Sequence, residues 1–141
     1  MQPFTYARAA SAGDVTQALA SGARPLAGGQ TLLASMKLRL ADPGALVDLA
    51  GVPGLAGIRR EGERLIIGAM TRHVDVAASP EARAAIPALA DLAGGIGDAQ
   101  VRAMGTLGGS VANNDPAACW PAGVLALAAT VRTDRRAIPA D

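Results

Sequence analysis

Residues 24–40 read RPLAGGQTLLASMKLRL. A short apolar stretch runs into Gly28-Gly29 and passes at once into helical spacing. Leu32, Leu33, Met36 and Leu40 share one helical face over 30–40, while Lys37 and Arg39 lie off it. A strand that turns directly into a helix is half of an α/β unit. The glycine pair permits positive φ and removes the Cβ atoms that would keep a neighbour away. The helix start that follows presents backbone N–H groups without helical partners and a partial positive charge. Gln30 and Thr31 add side-chain donors. The stretch therefore has two readings, a tight turn alone or a cradle for an anion.

The flanks extend the α/β pattern. SAGDVTQALASG (11–22) predicts a short helix with Asp14 as N-cap, Val15, Ala18 and Leu19 on one face, and Gly22 at its end. ARPLAGG begins with a short buried strand, and GALVDLAG (44–51) supplies another. Residues 1–53 thus alternate helix, strand, helix, strand. From residue 54 the pattern changes. LAGIRREGERLIIGAM (55–70) reads as two strands turning at Glu61-Gly62. In 71–97, Thr71 is a candidate N-cap, and Pro80 and Pro87 cut the run into short helices. GTLGGSVANND (105–115) brings a second glycine pair bracketed by Thr106 and Ser110. PAACWPAGVLALAAT predicts a buried helix starting near Pro116 or Pro121, TVRTD a last strand, and RRAIPAD a tail without a closing element. Two lobes follow, 1–53 and 54–141.

Composition narrows the function classes. A chain of 141 residues, 50% hydrophobic, has ample aliphatic material for one core although it holds one Trp, one Tyr and one Phe. A net charge of +1 with no basic stripe or aromatic platform argues against nucleic-acid binding. No apolar run reaches the length of a membrane span, and the N-terminus lacks the form of a signal peptide, so a cytoplasmic location is expected. One cysteine, Cys119, and one histidine, His73, cannot build a metal centre within the chain. Neither glycine pair matches the dinucleotide or P-loop fingerprints. No Ser-His-Asp set or defensible carboxylate pair is present.

Single residues carry alternatives. His73 reads as a solvated or capping residue, or as a contact in a ligand cleft. Cys119, in an apolar setting, reads as a small buried hydrophobe. Asp115 before Pro116 reads as a helix N-cap, a role compatible with ligand contact. Trp120 reads as a core or inter-subunit packing residue, with stacking on a bound ligand ring as the alternative. Lys37, Arg39, Arg59, Arg60 and Arg64 read as solvated surface, with Lys37 and Arg39 alternatively facing a partner subunit.

Taken together, AGGQTLLASMKLRLADPGALVDLAG, LIIGAMTRHVDV, IGDAQVRAMGTLGGSVANNDPAA and ALAATV resemble the FAD-binding medium subunit of molybdenum hydroxylases. Aerobic carbon monoxide dehydrogenase and the flavin portion of xanthine dehydrogenase are members of that family. The resemblance spans roughly residues 3–133. It implies an α/β (α+β), two-lobed FAD-binding domain of the vanillyl-alcohol oxidase type, with FAD extended between the lobes. Ala27, Gly28, Gly29, Gln30 and Thr31 are then implied to wrap the pyrophosphate from the first lobe, with Leu26 and Leu32 alongside. Thr106, Gly108, Gly109 and Ser110 are implied to wrap it from the second. Ile96 is implied near the flavin ring, and Asp115 at the ribityl or ribose hydroxyls. Gly68, Ala69, Thr71 and His73 are implied to line the same cleft.

The implied role is an electron-transfer subunit. A large subunit would carry the molybdenum cofactor, and a small one the [2Fe-2S] clusters that feed FAD here. A stand-alone flavin oxidoreductase and a non-catalytic interaction module are the alternatives. Two departures stand out. Cys119 occupies a place where many relatives carry an acid, and the family's subunits run about twice this length. The sequence therefore reads as truncated at its C-terminal side, and weak retention of FAD is expected.

Overall fold

A computed structural model describes residues 1–140. The first third is a three-stranded parallel sheet built from β1 (Thr5–Arg8), β2 (Arg24–Leu26) and β3 (Ala45–Asp48), in the order β1-β3-β2. Tyr6 pairs with Leu46 on one side of β3, and Arg24 pairs with Leu46 on the other. Flanked on both edges, β3 holds the buried pair Leu46 and Val47. All of β1 is exposed along its length. That explains why its sequence, with no alternation to read, gives no strand signal. β2 is also more exposed than a buried strand would be.

α1 (Ala12–Ala20) crosses from β1 to β2, and its Val15 and Ala18 pack on Ala9, Val47 and Val52. Its N-cap is Ser11. Asp14 is the third residue of a reciprocal capping box, in which the two side chains satisfy each other's backbone N–H groups. The expected Asp14 cap is thus displaced by three residues, because the hydroxyl of Ser11 reaches the Asp14 N–H. α2 (Leu32–Lys37) is shorter than the apolar spacing implies. Arg39 takes a left-handed φ of 60°, which ends the helix and turns Leu40 outward to 77% exposure.

The remaining chain gathers around a second apolar cluster. β4 (Ile58–Glu61) and β5 (Arg64–Ile67) form an antiparallel hairpin through Gly62, at φ 60°, and Glu63, so the turn lies one residue beyond Glu61-Gly62. α3 (His73–Ala78), α4 (Pro80–Ala85) and α5 (Pro87–Gly94) follow, with Pro80 and Pro87 at helix starts as their fixed φ dictates. α6 (Ala99–Met104) is capped by Asp98, whose carboxylate accepts the Val101 N–H at 2.8 Å. α7 (Leu107–Asn113) and α8 (Cys119–Ala126) complete the helices. Val76, Ala82, Leu89, Ala93 and Trp120 form the buried centre, with Ile58, Leu65 and Ile67 packed against it. The tail does not stop open. β7 (Ala137–Pro139) pairs antiparallel with β6 (Thr130–Arg132).

Candidate cofactor site at the junction of the glycine segments

The two glycine segments, far apart in sequence, meet. A Cβ on Gly28 would lie 2.1 Å from the Met104 carbonyl oxygen and 2.7 Å from Gly105 Cα. One on Gly109 would lie 3.2 Å from Ala27 Cβ, and one on Gly108 would lie 2.5 Å from Ala69 Cβ. Gly28 and Gly108 are bare because a neighbouring backbone sits against them. Gly29 has a different reason, since its φ of 71° makes the turn into α2.

The backbone hydrogen bonds divide the labour between the segments. Among the described residues, the N–H groups of residues 27–32 have no acceptor, backbone or side chain. Gln30 folds back so that its Nε2 donates to the Gly28 carbonyl at 3.2 Å. The second segment is largely satisfied. Leu107 N–H donates to Thr71 O at 3.0 Å and Gly108 N–H to Ala69 O at 2.8 Å. Gly109 N–H donates to the Thr106 hydroxyl at 3.2 Å, which caps α7. The structure makes the second a capped helix start, which buttresses the first and presents small side chains.

Beneath the junction lies a polar pair inside the apolar cluster. Trp120 Nε1 donates to His73 Nδ1 at 3.0 Å, with Trp120 at 0% and His73 at 4% exposure. His73 N–H donates to Gly105 O at 3.0 Å, and a Cβ on Gly105 would lie 2.6 Å from His73 Nε2. Burial holds the His73 pKa below its ordinary value. Thr71 is buried as well. Its hydroxyl accepts the Gly57 N–H and donates to Gly57 O, each at 3.0 Å, so Thr71 is not the expected cap of α3. Arg72 takes the cap position and pairs with Asp75 at 2.8 Å, a hydrogen bond that lowers the Asp75 pKa.

Residues 2–140 match the family described as the FAD binding domain in molybdopterin dehydrogenase. This chain belongs to that family. The carbon monoxide dehydrogenase medium chain of Hydrogenophaga pseudoflava is 42% identical over 145 residues, covering 98% of this chain and 50% of its own. The nicotine 6-hydroxylase medium subunit of Paenarthrobacter nicotinovorans is 38% identical, covering 96% and 50%. Among solved structures, carbon monoxide dehydrogenase from Hydrogenophaga pseudoflava superposes with a TM-score of 0.94 at 41% identity, covering all of this chain and 52% of that one. Quinoline 2-oxidoreductase from Pseudomonas putida 86 superposes at 0.93 with 35% identity, covering 99% and 51%. The chain spans about half the length of the relatives it matches. Its α/β fold is the family's.

Within this FAD-binding-family domain, Ala27, Gly28, Gly29, Thr106, Gly108 and Gly109 are gathered at the junction. Gln30 and Thr31 are exposed at the entry to α2, and Ser110 is half-buried in the first turn of α7. Leu26 packs beside Gly29, whereas Leu32 borders a separate depression of about 230 Å³ with Arg24 and Asp42. Ile96 packs against the second apolar cluster. Asp115 is exposed. Its carboxylate accepts the Ala117 N–H at 2.8 Å two residues on, a turn and not a cap of α8, which starts after Ala118. Cys119 is exposed, contrary to the buried reading, because it is the first residue of α8, whose buried positions are Trp120 and Gly123. The contributions of Met104, Gly105 and Ala69 are backbone or methyl packing, which residue type alone does not advertise.

Proposed function

We propose that this chain binds FAD by its pyrophosphate at the glycine junction and serves as the FAD-binding part of the medium subunit of a molybdenum hydroxylase. The single observation that carries the reading is the run of N–H groups at 27–32 without a protein acceptor, on a turn half-buried at Ala27, Gly28, Gly29 and Leu32 and exposed at Gln30 and Thr31. Buried or half-buried backbone donors are rarely left without partners. A run of open backbone donors on one turn suits a multiply charged oxyanion. It also explains how a chain of net charge +1 holds a dianion without a basic cluster.

In this reading Ala27, Gly28, Gly29, Gln30 and Thr31 supply the phosphate donors, with Leu26 and Leu32 alongside. Thr106, Gly108, Gly109 and Ser110 form the facing wall. Ile96 lies toward the ring and Asp115 toward the ribityl or ribose hydroxyls. Thr71 and His73, whose side chains are engaged within the protein, act through the backbone that they hold. FAD, when bound, supplies the chemistry of accepting electrons singly and releasing a pair. The chain's own part is binding and orientation.

The iron–sulfur and molybdenum centres belong to small and large partner subunits, a reading supported by relatives named as medium chains. The lobes meet near residue 53. A cytoplasmic location accords with the absence, among the described residues, of any helix long and apolar enough to cross a membrane. Affinity purification from the native cell tests the proposal. Recovery with flavin, molybdenum and iron in one complex is expected. A stable iron-free homo-oligomer that oxidises a substrate alone contradicts it.

A further inference from the structure

We propose that His73 is a positioning residue that holds the glycine junction in its binding shape only while its imidazole ring is uncharged. The ligand side of this proposal rests on the FAD reading above. The geometry is a short relay of direct contacts. Trp120 Nε1 donates to His73 Nδ1 at 3.0 Å, the His73 ring packs against Gly105, and the His73 backbone N–H donates to Gly105 O at 3.0 Å. Gly105 and Met104 in turn press on Gly28, whose Cβ would fall 2.1 Å from Met104 O. One end is the core, and the other is the turn that carries the free N–H groups.

The chemistry at the core end has a definite sign. An indole N–H can only donate. His73 Nδ1 must therefore offer a lone pair, which places the ring's single proton on Nε2. A second proton removes that lone pair and sets two N–H donors head to head. With Trp120 fully buried and His73 at 4% exposure, water cannot relieve the conflict in place. The ring must move, and Gly105 lies directly against it.

No neighbouring charge overrides this effect. Arg72 and Asp75, which flank His73, pair with each other. On α4, Arg83 pairs with Asp91 of α5, and Glu81 accepts from Ser79. On α6, Arg102 donates to the carbonyls of Ile96 and Gly97. On α8, Cys119 points to solvent. Burial, not a charge, is the cause that lowers the His73 pKa.

The chain has one histidine and one tryptophan, so both ends of the relay report without ambiguity. The test is a pH titration of the purified chain by Trp120 emission and by the amide NMR shifts of Gly28 and Gly29, with FAD affinity from equilibrium dialysis at each pH. In the wild type, emission and both glycine amides should move with one shared midpoint below pH ~6.5. The FAD dissociation constant should rise about tenfold per pH unit below that midpoint, as required when only the neutral form binds. His73→Asn keeps an acceptor for Trp120 and cannot be protonated, so all three signals should lie flat. Trp120→Phe removes the donor and should raise the His73 midpoint. The proposal is overturned if Gly28 and Gly29 ignore the His73 titration, or if His73→Asn keeps the wild-type pH dependence. Failure of FAD to bind at any pH would defeat the functional reading, while the glycine amides would still decide the role of His73.

Discussion

Gly28→Ala is the smallest change that should damage the site. The added methyl would lie 2.1 Å from Met104 O and 2.7 Å from Gly105 Cα, where ordinary contact begins at 3.4 Å. Opening the closer contact requires the two backbones to part by about 1.3 Å. Neither side can yield by a rotamer change, since both are main chain. Overpacking of this kind costs about 1–3 kcal/mol. For a chain of 141 residues, that lowers Tm by roughly 3–10 °C. The same displacement moves the donors of 27–32, and losing one hydrogen bond to a charged phosphate, about 1.5–3 kcal/mol, should weaken FAD roughly ten- to a hundredfold. Gly13→Ala is the control. Gly13 lies in α1, and its nearest atom to an added Cβ is the Ser11 hydroxyl at 3.6 Å. There the change should stabilise by about 0.5–1 kcal/mol. Thermal unfolding followed by circular dichroism, with FAD affinity by equilibrium dialysis, reads both variants. If Gly28→Ala melts and binds like the wild type, the packed junction does not exist as described.

Other changes separate support from contact. Thr71→Val strips the hydroxyl that serves both the N–H and the C=O of Gly57, and should cost about 1–3 kcal/mol in denaturant unfolding. Ser11→Ala breaks the capping box of α1, and should cost about 1 kcal/mol while leaving FAD affinity unchanged. The stability of the chain should also fall on mild acidification. The native pKa of His73 is depressed, so below pH ~6.5 the unfolded chain binds more protons than the folded one. Unfolding free energy then drops by at most about 1.4 kcal/mol per pH unit, until the native ring is protonated too. His73→Asn should remove that slope, as urea titrations at pH 5.5 and 7.5 would reveal.

The fold was legible where local chemistry and tertiary structure agree. Pro80 and Pro87 mark helix starts because a fixed φ and a missing N–H suit only that position. The hairpin at Gly62 announces itself through glycine between two β-rich runs. The strand–turn–helix at Leu26–Leu32 was readable because a glycine pair interrupts two apolar patterns of different period. β1 was not legible, since its four residues are all exposed and its order comes from pairing with β3. The end of α2 was hidden as well. Its apolar spacing runs on to Leu40, but the left-handed turn at Arg39 carries Leu40 into solvent. At the site, the glycines were visible and their purpose was not. What presses on Gly28 is the Met104–Gly105 backbone, which no residue type encodes. The His73–Trp120 bond spans 47 positions, and neither local sequence nor composition links the two.

The central claim is that the junction recognises a pyrophosphate through the N–H groups of residues 27–32. Competitive binding tests it most directly, with FAD, ADP and riboflavin offered to the purified chain. The account predicts that ADP displaces FAD and that riboflavin, which has the ring but no phosphate, does not. Riboflavin displacing FAD as effectively as ADP does, or ADP failing to compete at all, would contradict it.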